Sequence, residues 1–466
     1  MNPTMASRTA LFPADPATRA RAAELYAAVA DKPIISPHGH VAPGLLADNE
    51  PFTDPAALLL SHDHYVTRLL HAGGVCLEAL GVGGADFDPR SAWRLLAAHW
   101  HRFAGTASGY WLEREFEDLF GIVDELGPEN ADEVYDRIDA ALQRTEFRPR
   151  ALFDRFRIAV LATTDDPLDD LDDHARLARD GAVSGRVVPT FRPDAYLDPE
   201  SLGFATRVHR LIEAAGGGRA DFGSYLRALE ARRAHFIARG AVSADHGVVE
   251  PYTTRLDADA AERLFQGALR GELDAGSARE FRGHMLWQMA RMSVQDGLVM
   301  TIHAGVHRNH STVTHGRFGP DSGSDIPTRV EYVRNLHALL ESFGLVRDFH
   351  LVLFTIDETA FSREIAPLAG FYPSVYIGAP WWFIDAPDAI ARFRAATVET
   401  AGFYRSSGFI DDTRAFLSIP ARHDMARRSD AAFLARLVEE GRVRPARAQR
   451  IMQDLVDAIP REVFKL

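Results

Sequence analysis

The chain has 466 residues, 46% of them hydrophobic and 25% charged, enough to bury a large core and ordinary for a globular protein. Its formal net charge of −13 argues against a nucleic-acid or anionic-membrane surface, since both ask for a basic face. One cysteine, Cys76, excludes an internal disulfide and fits a reducing, cytoplasmic setting; in GGVCLEAL it reads as a small buried side chain. Neither MNPTMASRTALFPADP at the start nor any later stretch is apolar enough for a signal peptide or a membrane span.

In chain order, eight short apolar runs end in polar residues: PIISPHGH (33–40), FRIAVLATTDD (156–166), GRVVPTFRPD (185–194), GAVSADHG (240–247), GLVMTIHAG (297–305), FHLVLFTIDE (349–358), SVYIGAPWW (374–382) and SGFIDDTR (407–414). Each has the length and composition of a buried parallel strand. Helical patterns lie between most of them, including ADEVYDRIDAALQRT, RVEYVRNLHALLESFG and PDAIARFRAATVETAGFY. Eight strands alternating with helices predict an α/β fold, a (β/α)₈ barrel of the TIM type, whose active site lies at the C-terminal ends of the strands. Residues 44–150 read as helix with aromatic patches, so we expect residues 1–43 and 151–466 to form the barrel and 44–150 a mostly helical insertion near its mouth. A second helical excursion spans 204–240.

The strand ends carry the chemistry. His38 and His40 are two apart, so on a strand their side chains share a face and can hold one divalent cation. A third ligand is expected from strand eight, the neighbour of strand one in a closed barrel; parity leaves Asp411 and Asp412 both open. His303 reads as a further ligand, a proton-transfer group or a barrel-lining histidine. SHDHYVTR (61–68) is a polar helix start, or, if the insertion lids the barrel, a way to bring His64 and Tyr65 to a substrate. Arg192, Arg308 and Arg414 follow strands three, five and eight; three guanidiniums at one mouth ask for an anion, a carboxylate or phosphate. AAGGGRAD lacks the lysine and the preceding strand of a phosphate loop, so a carboxylated sugar fits better than a nucleotide. Trp381, Trp382, Tyr110 and Trp111 can stack on sugar faces or serve as packing.

These residues, in order, resemble the motifs of the uronate isomerases, an outlying branch of the amidohydrolase superfamily. PHGHVAPGLLADNEPF is similar to the family's opening H-x-H segment, HDHYVTRLLHAGGV to its D-H-Y segment, and TTDDP, PTFRPD, SADHG, IHAGVHRN and GAPWWF to further blocks. GFIDDTRAFLSIPARHDMARR resembles the last, T-D-S-R-S-F followed by R-H, an alignment that selects Asp412 over Asp411. The resemblance covers nearly the whole chain. It implies an aldose–ketose isomerase converting D-glucuronate to D-fructuronate and D-galacturonate to D-tagaturonate. It also implies one divalent metal ion, zinc by expectation, on His38, His40 and Asp412, with Arg192, Arg308 and Arg414 on the sugar's carboxylate and hydroxyls. His64, Tyr65, Asp245 and Trp381 would line the site, with Asp412, Tyr65, His64 and Asp245 as candidate proton movers and His303 beside the substrate. No counterpart of a strand-four lysine or strand-six histidine stands here, which favours one metal over two. The alternative is a mononuclear metal hydrolase of a sugar-acid lactone, ester or amide, using the same ligands. Partners are then a small-molecule hexuronate and, by loose family expectation, further copies of the chain.

Overall fold

The computed structural model describes residues 9–466. Its framework is a ring of parallel segments: β1 (Ile34–Ser36), β2 (Ile158–Ala162), β3 in two pieces (Arg186–Val188 and Thr190–Phe191), β4 (Ser243–Val248), β5 (Val299–Ala304), β6 (Leu351–Thr355), β7 (Val375–Ile377) and an irregular eighth segment, residues 406–413. Neighbours in the ring are neighbours in the chain: Ile34 lies opposite Ile158, Leu161 opposite Val187, Thr190 opposite Ser243, Ala244 opposite Met300, Thr301 opposite Val352 and Val375 opposite Leu351. Ile377 bridges to Ser406, and the His40 N–H donates to the Thr413 carbonyl at 2.9 Å, so the eighth segment meets the first and the barrel closes. Pro189 divides β3 because it has no N–H for a ladder. The piece before it pairs with β2 and the piece after it with β4.

β5 and β6 are buried on both faces, as strands wrapped by helices must be. Along β6, Leu351 and Leu353 join one apolar cluster while Val352 and Phe354 join another. Aspartates start several of the surrounding helices. Asp221, Asp257 and Asp274 accept from the N–H groups of Ser224, Ala260 and Ser277, and left-handed Gly271 and Gly297 stop two of those helices.

Two predicted helices form where expected, Ala131–Leu142 and Pro387–Ala401. The third is shorter than its pattern. Only His337–Phe343 is helical, because Glu364 takes the N–H groups of Tyr332 and Val333 and the Tyr332 hydroxyl donates to Phe354 O at 2.8 Å. Between β1 and β2 run the helices Pro43–Asp48, His64–Ala72, Pro89–Ala98, Ala107–Phe120, Ala131–Leu142 and Pro149–Arg155, whose apolar faces share a cluster with Ile34, Ile158 and Leu161. Cys76 is exposed in this region, contrary to its apolar neighbourhood in sequence: Val75 and Leu77 turn inward, and the residue between them faces out.

The long helix Ile419–Glu439 lies against Pro16–Ala27. Arg427 donates to the carbonyls of Val29, Ala30 and Pro33, which ties the approach to β1 to the helix that follows the eighth segment. Among the described residues no helix is long and apolar enough to cross a membrane.

Gly185, just before β3, marks the closest approach in the ring. A Cβ there would stand 2.1 Å from Ile158 O and 2.9 Å from Ala159 O. Gly185→Ala therefore lowers unfolding stability by about 1–3 kcal/mol, the range for overpacking a fixed site, in a chemical-denaturation titration. A change below a few tenths of a kcal/mol would mean that β2 and β3 shift freely.

Candidate active site

β1 stops at Ser36 because Pro37 has no N–H to continue the ladder. His38 and His40 thus stand in the segment beyond the strand, and strand parity, on which the sequence reading placed them, does not bring them together. They meet through a third residue. His38 Nε2 lies 3.2 Å and His40 Nε2 3.0 Å from the same atom, Asp412 Oδ1. Neither contact has hydrogen-bond geometry: Asp412 Oδ1 is buried without a hydrogen-bonding partner, as is His38 Nδ1. Two imidazole nitrogens and a carboxylate oxygen converging on one point, with no proton shared well between them, suit a cation. Asp412 holds a left-handed backbone, φ +43°, an uncommon conformation for a non-glycine residue and one that turns its side chain away from that of Asp411. Asp411, fully buried, takes the His423 ring instead, Nε2 to Oδ2 at 3.0 Å. The structure brings together the ligand trio expected from the resemblance.

A second grouping, His38 with Asp245 and His303, also has its donor atoms close together. There Asp245 Oδ1 already meets His303 Nδ1 at 2.6 Å and accepts from Thr301 Oγ1 at 2.6 Å, while Arg192 Nη1 stands 3.4 Å from Oδ2. A cation at that point would face a guanidinium, so the trio with Asp412 is the better site. Burial works against ionisation of both aspartates. For Asp412 the His38 and His40 rings outweigh it, and for Asp245 His303, His38 and Arg192 do, so both carboxyls stay well below the usual range.

Above the trio opens a cavity of about 430 Å³, the size of small-molecule sites. His40, His64, Tyr65, Arg192, Arg308, Trp381, Asp412 and Arg414 all line it. His38, Asp245 and His303 do not; they stand behind its wall, with the His303 ring stacked on His38 at 4.6 Å and Trp381 edge-on to it at 4.7 Å. Asp245 and His303 thus stand with His38 just behind the cavity surface rather than on it. β4 carries Asp245 and β5 carries His303, with Arg192 beside the first and Trp381 edge-on to the second.

SHDHY satisfies both of its readings. Asp63 caps the helix His64–Ala72 by accepting from Tyr65 N at 2.8 Å, and the same turn delivers His64 and Tyr65 to the cavity. Burial, then the Arg414 charge, pushes His64 down to about 3, so its ring is neutral at physiological pH. Burial and the Asp385 charge raise Tyr65 well above its ordinary value, so the phenol keeps its proton. The Trp381 indole N–H is buried and unpartnered, which leaves it a donor for a bound molecule.

Each of the three arginines has a carboxylate of its own within the protein. Arg192 meets Asp194 at 2.8 Å, Arg308 meets Asp325 at 2.9 Å and also lies over Trp382, and Arg414 meets Asp321 at 3.2 Å. Asp321 and Asp325 lie in plain loop sequence, while Asp194 opens the short helix Asp194–Leu197 at the end of PTFRPD. Arg422 was also missed. It is fully buried behind Tyr65, donates to Asp385 Oδ2 at 2.8 Å, and lies 3.6 Å from the Trp111 ring centroid. Its signal was available: an arginine on the apolar face of Ile419 and Ala426 needs a buried partner. Asp165, from TTDDP, is structural. It accepts from Thr163 Oγ1 and Thr190 N across the β2–β3 seam, and burial pushes it up to about 7.

The sequence model of the family described as UxaC, glucuronate isomerase, matches residues 16–464. A uronate isomerase of Corynebacterium efficiens is 54% identical over 458 residues, covering 98% of each chain. The crystal structure of a glucuronate isomerase from Caulobacter crescentus superposes with a TM-score of 0.96 at 48% identity, over 98% of this chain and 96% of that one. A uronate isomerase structure from Thermotoga maritima gives 0.93 at 26% identity, over 99% and 100%. The chain belongs to the glucuronate isomerase family.

Proposed function

We propose that the cavity interconverts aldo- and keto-hexuronates, D-glucuronate with D-fructuronate and D-galacturonate with D-tagaturonate, around one divalent cation, zinc, held by His38, His40 and Asp412. The observation that carries the reading is the convergence of those three side chains on one point at the floor of a cavity rimmed by three arginines. In this reading residues 1–43, of which 1–8 lie outside the described residues, and 151–466 are the catalytic barrel, and 44–150 an insertion that supplies His64 and Tyr65.

Aldose–ketose isomerisation moves a hydrogen from C2 to C1 of the open-chain sugar acid. It needs a base for the C2 proton, an acid at O1 or O2, and positive charge beside the enediolate that forms between them. When bound, the cation supplies positive charge next to the sugar's oxygens. Arg192, Arg308 and Arg414 add to it from the rim and hold the substrate by its carboxylate and hydroxyls. Asp412, ionised, is positioned to take a proton from the sugar hydroxyl during ring opening. Tyr65 retains its proton and can donate it to an oxygen; neutral His64, stacked on the Tyr65 ring at 5.2 Å, can accept or pass one. Trp381 offers its free N–H to the sugar. Asp245 and His303 act from behind the wall: they fix Arg192 and His38 and are positioning residues.

The chain supplied with zinc and D-glucuronate, or D-galacturonate, should produce a C2 ketone carbon signal by NMR without release of a new acid group; a new acid group and no ketose would support a lactone or ester hydrolase instead. Asp412→Asn should reduce turnover by at least about a hundredfold, the lower range for losing an acid–base group, and also reduce metal content measured by elemental analysis. A variant retaining near-normal turnover would remove Asp412 from the mechanism. Asp245→Asn should lower kcat by about ten- to a hundredfold, as loss of an outer support does, while metal content stays at the wild-type level.

A further inference from the structure

The three rim arginines differ in how their carboxylates are anchored. Asp325, which answers Arg308, has a side chain only 4% exposed and accepts from the Asn309 N–H at 2.6 Å. Asp194, which answers Arg192, accepts from the Gly247 N–H at 3.0 Å. Both are fixed to backbone. Asp321, which answers Arg414, has a side chain 41% exposed, and Arg414 is the only hydrogen-bonding or ion-pairing partner of that carboxylate among the described residues.

The backbone around Asp321 matches this looser hold. It lies in the loop that follows the helix Thr312–Phe318 and leads into Ile326–Pro327, and its φ is +59°. Gly319 and Gly323, on either side, have φ of +77° and +88°. The loop's outer end is anchored elsewhere, by Arg317 on Glu78 and by Phe318 against Gly83. A change at Asp321 therefore leaves those anchors in place.

We propose that Asp321 is a built-in competitor: in the free enzyme its carboxylate sits on Arg414 where the anionic group of a bound sugar acid sits, and binding displaces it. The proposal rests on the reading of the cavity as a hexuronate site. An anionic ligand must break the Asp321–Arg414 pair to gain the guanidinium, and so binds more weakly than the open site would allow. A neutral sugar neither breaks the pair nor gains from its loss. Asp321 thereby sets the affinity for acids and exchanges with the product carboxylate on release.

The test uses full-length protein supplied with zinc and the variant Asp321→Asn, because asparagine tolerates the left-handed backbone and removes only the charge. Calorimetry measures binding of D-gluconate, an acid that cannot isomerise, and of D-sorbitol, its neutral counterpart; steady-state kinetics give KM for D-glucuronate. The variant should bind D-gluconate about two- to fivefold more tightly, the factor that an incompletely buried ion pair is worth. Its KM should fall in parallel, with sorbitol unaffected. Unchanged or weaker gluconate binding would overturn the proposal, the latter making Asp321 a ligand of the sugar. Equal tightening of sorbitol would also overturn it, since the effect would then be steric opening. The gluconate and sorbitol measurements need no turnover, so failure to isomerise D-glucuronate would count against the hexuronate reading alone.

Discussion

One backbone hydrogen bond governs the mouth of this barrel: His40 N–H to the Thr413 carbonyl. Neither segment it joins is a regular strand there. Pro37 has ended the ladder of β1, and the eighth segment makes a bridge at Ser406 and then loses regular pairing. A ring closed at an irregular joint can set side-chain directions that pleated strands cannot, since it is freed from strict alternation. The joint spends that freedom on two imidazoles and one carboxylate that face a common point. Gly39 sits inside it, where a Cβ would stand 3.5–3.6 Å from Ala162 O, Asp411 Oδ1 and Thr413 O, so the residue between the histidines is close to three walls at once.

The helix Ile419–Glu439 holds that joint in place through buried charge. His423 takes Asp411, Arg422 takes Asp385, and Arg427 gathers three carbonyls on the way into β1. Removing one partner of the buried Arg422–Asp385 pair typically costs about 3–5 kcal/mol, because the other group is left without an answer. The arrangement separates two neighbouring aspartates by role. With Asp411 committed to His423, Asp412 is the carboxylate left to face His38 and His40. Arg422 does the same for the wall behind Tyr65, where its cation lies against the Trp111 and Tyr65 rings and offsets the charge of Asp385.

Apolar runs made the barrel legible, since a strand wrapped by helices must be apolar on both faces, and SADHG and TIHAG lie on strands as read. The meeting of His38, His40 and Asp412 at one point follows the resemblance, though the strand-parity argument for His38 and His40 fails at Pro37. What composition could not show were features fixed by distant contacts. Cys76 faces out although its neighbours are small and apolar, because alternation between Val75 and Leu77 decides the matter. The helix expected from residue 329 waits until His337 because Glu364, about thirty residues on, claims two of its N–H groups. Asp245 stands at a strand end as read, with the Arg192 guanidinium 3.4 Å from its carboxylate. Two partners of the rim arginines, Asp321 and Asp325, sit in a loop, where an aspartate has many ordinary uses.

Charge balance in the cavity argues for the cation independently of the ligand geometry. Its lining holds five carboxylates, Asp63, Asp194, Asp321, Asp325 and Asp412, against three guanidiniums, Arg192, Arg308 and Arg414. Fully ionised, that wall carries two negative charges in excess, a poor receptor for an acid. Burial raises Asp63 and favours its neutral form, which removes at most one of them. A divalent ion on His38, His40 and Asp412 brings the lining to neutral or slightly positive, the condition under which a monoanionic sugar acid is drawn in rather than repelled. The same arithmetic bears on the enediolate of the proposed reaction: it adds a negative charge beside Asp412, which a cation there would offset together with the rim arginines. In the proposed reading, the site's acids and bases balance for an anionic substrate when a cation joins them.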